Sequence, residues 1–245
     1  MATKTTSIQR PRVVSHEQWI TERVALLKQE KEIMRLQDEL SRRRRGLPWD
    51  RVEKRYVFRG PNGDEALADL FEGRSQLLVY HFMYGPEMKE GCPSCSFVVD
   101  HFDGMLPHLA ARDVTLVVIS RAPYPTLEAF KRRMGWRFKW VSSAGSDFNY
   151  DFGVSFTDEQ RASGTLPYNF AHYTDASYPI IPDLQGASVF AKDEGEVFRT
   201  YSTYGRGVET FMTTYSTLDL VPKGRDEDSL DFPMAWVRYH DRYEG

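Results

Sequence analysis

Cysteine is scarce in this sequence, with two among 245 residues. That is too few for a fold stapled by disulfides, and a chain of this length can bury a sizeable core without them. An excess of positive charge is missing as well. The net charge of -3 at pH 7 leaves no electrostatic footprint for nucleic acid, and no run of about 18 apolar residues is present to cross a bilayer, so neither nucleic acid nor a membrane is expected as a partner. The opening residues MATKTTSIQRPRVVSHEQ lack the apolar stretch of a secretory leader, which points to the cytoplasm. Thiols stay reduced there, and a cysteine pair is more often catalytic or metal-binding than structural. Internal repeats and low-complexity linkers are also lacking.

What is present divides into four stretches: a loose tail over residues 1–14, a helical extension over 15–50, an α/β domain over 51–222, and a tail over 223–245 that Trp236, Tyr239 and Tyr243 anchor to the body. Ser15 followed by Gln18 is a capping box, and the absence of Gly and Pro as far as about residue 45 predicts one long helix. Ile20, Val24, Leu27, Lys31 and Met34 mark one stripe on it, and Trp19, Leu26, Ile33 and Leu40 a neighbouring one. A face this broad has to be covered, either by the chain's own domain or by a second copy in a homodimer. Arg42 to Arg45 then meet the negative end of the helix dipole as a solvated helix end, and Gly46 is expected in the left-handed cap conformation.

Downstream, strands are predicted at 54–59, 76–84, 114–120 and 136–142, with helical segments at 66–71, 95–111 and 126–134. Pro107 is expected to kink or weaken the helix that contains it. Gly60-Pro61-Asn62-Gly63 reads as a turn. Between 143 and 185 regular signals fade. A hairpin follows, 187–191 and 197–201 around Asp193-Glu194-Gly195, and 208–218 reads as a last helix. Alternating strands and helices closed by a hairpin make an α/β fold with a mixed sheet.

The two cysteines are Cys92 and Cys95, in Cys92-Pro93-Ser94-Cys95, between a strand with its loop and a helix. There the first thiol meets free backbone N–H groups and the positive end of the helix, which favour its thiolate. Effects of about 0.3 to 2 kcal/mol correspond to roughly 0.2 to 1.5 pKa units, enough to bring a thiol from about 8.5 towards 7. Cys95, one turn on and more buried, is suited to attack a mixed disulfide formed at Cys92. Pro93 fits the first turn of a helix, where no donor is lost, and Ser94 is expected to add little by itself. Such chemistry needs no organic cofactor.

The competing reading is a copper or zinc site. Zinc calls for four ligands, and histidine would have to supply those missing. His101 and His108 are poorly spaced for chelation with Cys95. His81, on the strand feeding the loop, is a ligand or thiolate partner unless it is a buried histidine satisfied by a hydrogen bond. His172, brought in from a distant loop, would complete a copper site with both thiolates. Elsewhere, Arg206 between Gly205 and Gly207 offers an anion site at a helix start, against the plainer reading of a glycine-rich turn. Asp147, Asn149 and Asp151 echo a calcium loop but lack its glycine and glutamate. Tyr80, Phe82 and Tyr84 read as core.

Several segments together carry a resemblance: LADLFEGRSQLLVYHFMYGPEMKEGCPSCSFVVDHFD, VTLVVISRAP, SDFNYDFGVSF, SVFAKDEGEVFRTYSTYGRGVE and LDLVPKGRDE. Over nearly the whole chain the sequence resembles the bacterial thioredoxin-like family catalogued as domain of unknown function 899. Its members are labelled predicted dithiol-disulfide oxidoreductases. The resemblance implies a thioredoxin-like fold, with a peroxiredoxin-like βαβ core and mixed central sheet, plus a long N-terminal helix. Its implied activity is thiol-disulfide exchange with a protein or small-molecule disulfide, with electrons from a separate thiol donor. Two departures stand out. Gly186-Ala187-Ser188 occupies the place where thioredoxins carry a cis-proline, the nearest proline being Pro182. Lys89 stands where peroxiredoxins carry the threonine that polarises peroxide, which argues against that reaction and offers a charge to steady a thiolate instead.

Overall fold

Ser15 starts the first helix as its local signature implies. In the computed structural model, which describes residues 11–174 and 180–244, the Ser15 hydroxyl accepts from the Gln18 N–H at 3.3 Å and the Gln18 side chain accepts from the Ser15 N–H at 3.4 Å. Residues 1–10 of the expected tail lie outside the described residues. α1 (His16–Arg45) ends at Gly46, whose φ of -91° is not left-handed. The Gly46 N–H instead reaches back to the carbonyls of Arg42 and Arg43, so the helix closes without glycine's special freedom. No residue of α1 is buried. Its apolar stripes therefore do not dock on the chain's own domain.

The short β1 (Asp50–Arg51) follows, then the hairpin of β2 (Val57–Gly60) and β3 (Gly63–Ala66), turned by Pro61 and Asn62 as expected. β4 (Gln76–His81) is the centre of the fold, apolar on both faces because both are covered. The helix expected over 95–111 is two helices, α2 (Pro93–Val99) and α3 (Leu106–Ala110). Proline explains part of this: Pro107 lies in the first turn of α3, where its missing N–H costs nothing, and so begins a helix rather than kinking one. The interruption is used as well. Asp100 accepts from Trp136 Nε1 at 2.7 Å, and Asp103 accepts from the N–H groups of Arg137 and Phe138.

β5 (Val114–Ser120), α4 (Tyr124–Arg133) and β6 (Lys139–Ser142) come next, then a region of short pieces where periodic signals were too brief to read: α5 (Phe148–Asp151), α6 (Asp158–Ala162), and a hairpin of β7 (Thr165–Tyr168) and β8 (Ala171–Thr174). Asn169 and Phe170, both at positive φ, turn that hairpin. β9 (Gly186–Asp193) and β10 (Glu196–Tyr204) form the long hairpin the sequence predicts. The helix expected at 208–218 is a 3-10 turn over Gly205–Phe211 followed by α7 (Thr213–Leu218).

The main sheet has the order β1-β10-β9-β4-β5-β6-β2-β3. β4, β5 and β6 run parallel, while β9 lies antiparallel to β4 on its other side and β10 antiparallel to β9. A parallel βαβ unit flanked by an antiparallel hairpin next to its first strand is the thioredoxin-like arrangement. Side chains alternate across β4. Leu78 and Tyr80 join the core that holds Cys95, Val98 and Phe102, whereas Leu77 and Val79 join the core of Phe148, Phe152 and Phe190. The C-terminal segment packs against the first of these. Val237 and Tyr239 are buried, and Glu227 accepts from Tyr215 Oη, Met234 N–H and Trp236 Nε1, whereas Tyr243 is 46% exposed.

Candidate functional site at the dithiol

Cys92 is the N-cap of α2 and Pro93 stands in its first turn, which is how proline and a short loop aim a thiol at free backbone N–H groups. The loop that delivers it is held from three sides. The Cys92 N–H donates to the Met83 carbonyl at 3.1 Å. Gly91 sits where a Cβ would lie 2.7 Å from Phe82 Cε1, so only glycine lets the chain pass between the rings of Phe82 and Phe130. From the far end of the chain, Tyr239 Oη donates to the Gly91 carbonyl at 2.6 Å. Glu90, next to it, accepts from Arg133 Nη1 at 2.6 Å and from both Arg242 amino groups, and Arg133 is also paired with Asp241. No local pattern links residues 90 and 91 to 239–242, and sequence reasoning missed this clamp.

The two thiols occupy different surroundings. Cys92 is half-buried, while Cys95 is 1% exposed. Both are free thiols. The neighbouring Cys95 thiol, and then the backbone N–H groups of Cys95 and Ser94 and the Ser94 hydroxyl, favour the Cys92 thiolate. Together these outweigh burial and bring its pKa down to about 7. Ser94, expected to add little, thus acts on the thiolate through both its backbone and its side chain. Burial pushes the Cys95 thiol up, as does the neighbouring Cys92. The Met83 N–H, 3.5 Å from Cys95 Sγ, and the Tyr80 side chain pull the other way. Tyr80 Oη is buried with no hydrogen-bond partner. Burial and the neighbouring sulfurs hold its phenol well above its usual range. A residue that reads as plain core is therefore part of the dithiol's surroundings.

The remaining expected residues are placed elsewhere. His81 is on the opposite face of β4 from Tyr80, packed on Phe148 and Phe152 with Nε2 2.9 Å from Ser188 Oγ and no partner at Nδ1. Burial brings its pKa down to about 3. It is the buried, hydrogen-bonded histidine of the plainer reading, not a neighbour of the thiolate. Lys89 is exposed and contributes its backbone carbonyl, which accepts from Tyr84 Oη at 3.2 Å; its ammonium is not among the groups that lower Cys92. Arg206 lies at the surface, paired with Glu209 at 2.9 Å, in place of an open anion site.

The other histidines weighed as metal ligands are not grouped with the sulfurs. His172 is exposed on β8, and His101 meets Thr214 Oγ1 at 2.7 Å. Among the described residues, no three His, Cys, Asp or Glu side chains are grouped to hold a metal ion, so Cys92, Cys95 and His172 do not form a ligand set. No described peptide bond is cis. No described helix is long and apolar enough to cross a membrane.

Comparison with known proteins adds the following. A family model described as "Bacterial protein of unknown function (DUF899)" matches residues 8–243. No curated protein matches. Among solved structures, a cysteine-to-serine mutant of PrxQ from Xylella fastidiosa is similar at 15% identity and a TM-score of 0.45, over 69% of this chain and 94% of that one. Peroxidoxin BcpB from Mycobacterium tuberculosis is similar at 16% identity and 0.45, over 69% and 95%. The mitochondrial 2-Cys peroxiredoxin from Plasmodium falciparum gives 14% and 0.40, over 70% and 94%.

Proposed function

The chain belongs to this bacterial family of unknown function, and we propose that it is a thiol-disulfide oxidoreductase in which Cys92 attacks and Cys95 resolves. One observation carries the reading: a half-buried cysteine at the N-cap of a helix is followed on the same turn by a second, fully buried thiol, and its neighbours bring its pKa down to about 7. At neutral pH a pKa of about 7 makes about half of Cys92 a thiolate, against a few per cent for a free cysteine near 8.5.

The Cys92 thiolate attacks one sulfur of a substrate disulfide. The substrate S–S bond breaks, a mixed disulfide forms at Cys92, and the other substrate sulfur leaves as a thiolate. Cys95 then loses its proton and attacks the Cys92 sulfur, closing the Cys92–Cys95 disulfide and releasing the second substrate sulfur, which takes up a proton. Two electrons have passed to the substrate, and a separate dithiol or pair of thiols returns them by the same exchange in reverse. Attack needs a reachable thiolate and resolution needs a shielded thiol on the same turn, which matches the half-buried Cys92 and the fully buried Cys95. The substrate is a protein or small-molecule disulfide. No organic cofactor takes part.

The test is the pH dependence of Cys92 alkylation in the reduced protein, with the dithiol's midpoint potential taken on the same sample. A reactivity midpoint near pH 7 is expected, together with a reversible two-electron couple. A midpoint at or above the free-thiol value of about 8.5 overturns the reading.

A further inference from the structure

α1 presents a face of uncovered apolar side chains. Along it the large side chains are exposed from 37% at Leu27 to 62% at Met34, although the helix is capped at its start and spans about 45 Å at 1.5 Å per residue. Trp19, Leu26, Ile33 and Leu40 recur at intervals of seven, as do Ile20, Leu27 and Met34. A strict seven-residue repeat is the pattern of a helix that pairs with another helix. Between these two rows, on the centre line of the face, lie Arg23, Glu30 and Gln37. Arg23 and Glu30 are paired along the helix at 2.8 Å, yet Arg23 Nη1 is shielded from solvent with no partner.

The order of charges selects the occupant and its direction. A parallel, in-register pair would set Arg23 against Arg23, Glu30 against Glu30, and the run Arg42 to Arg45 beside its own copy. An antiparallel pair with its two-fold axis between Leu26 and Leu27 opposes Arg23 to the partner's Glu30 and Glu22 to the partner's Lys31. The same register sets Trp19 against the partner's Met34, Ile20 against the partner's Ile33, and Leu26 against the partner's Leu27. Each residue of the seam finds its complement in this same sequence, as a two-fold interface requires. We infer that α1 is a dimerisation arm, pairing antiparallel with α1 of a second copy about an axis between Leu26 and Leu27. This does not depend on the redox reading, since no residue of the arm belongs to the dithiol site.

Light scattering on the full chain at micromolar concentration is expected to give the mass of two copies, and Leu26→Glu with Ile33→Glu the mass of one, with Cys92 alkylation unchanged because nothing in α1 is buried. Arg23→Glu leaves glutamate facing glutamate and is expected to dissociate alone, but to pair again when mixed with Glu30→Arg chains. Direction is read in a Cys92→Ser, Cys95→Ser background: Ile20→Cys and Ile33→Cys chains cross-link on mixing and neither cross-links with itself. A one-copy mass for the unaltered chain, a mass above two copies, or preferential same-site cross-links overturns the proposal.

Discussion

Tyr80 and His81 are neighbours in sequence, and the pleat of β4 turns them to opposite faces of the sheet. Each is 1% exposed and each carries an ionisable group in an apolar core, but the surroundings differ. On one face Tyr80 meets a second buried ionisable group, the Cys95 thiol, which lies on the same turn as the half-buried Cys92. On the other, His81 meets the Ser188 hydroxyl, which meets the Ser202 hydroxyl at 3.0 Å, and no group there titrates with it. Burial alone shifts a pKa without giving it work. A pair of coupled groups with an outlet can move a proton and an electron pair, and only the dithiol face has one.

The substitutions that test this contrast most severely are at the sulfurs. Cys92→Ser is expected to abolish disulfide exchange. Cys95→Ser is expected to keep the attack and stall after it, so that mass spectrometry of protein treated with a small disulfide shows a stable one-to-one adduct at Cys92. A variant that turns over normally without Cys95 would dissolve the distinction between the two thiols.

Tyr80→Phe is the next largest. It removes the phenol that favours the Cys95 thiolate, and losing about 1.4 kcal/mol of that stabilisation is a factor of ten in rate. Release of the second substrate sulfur is expected to slow by roughly tenfold or more, with the rate of the first attack unchanged. Resolving the two phases in a stopped-flow experiment separates this from a general loss of packing, which would affect both. Tyr239→Phe acts on the same face from outside. It leaves the Gly91 carbonyl without its donor, and a cost of about 1 to 3 kcal/mol in denaturant stability is expected, with a change in Cys92 alkylation of at most a few-fold.

The contrast also explains what was legible in the sequence. Signals that act over a few residues were readable: the Ser15 to Gln18 capping box, the apolar run of β4, the β9-β10 hairpin and the proline that opens the dithiol helix. The face to which a loop returns is not written locally. His81 and Tyr80 are equally close to Cys92 along the chain, and the choice between them depends on how α2 packs back on the sheet, which the period of β4 alone does not fix. Tyr239 lies 148 residues from Gly91 in a segment without periodic pattern, so its role is set by tertiary packing alone. Asp100 and Asp103 fall inside a stretch whose spacing predicts one helix, yet they end it by binding the backbone and indole of residues 136–138.

The smallest effect on the dithiol is expected from His81→Leu, and it probes the silent face directly. Alkylation of Cys92 should keep its midpoint near 7, because His81 is not among the groups acting on that sulfur. Stability should change its dependence on pH instead. The folded pKa of His81, about 3, lies below the unfolded value of about 6.5, so the unfolded chain binds the extra proton throughout that window. The contribution is therefore fully present above pH 6.5 and is lost as pH falls towards 3, at roughly 1.4 kcal/mol per pH unit. Leucine has no proton to bind, and Ser188 keeps its contact with Ser202. Urea titrations between pH 7 and 4 are expected to show a shallower decline for the variant by about that slope. A shifted thiol midpoint in the same variant would mean that the two faces communicate across β4, and that the sheet does not insulate the histidine from the dithiol.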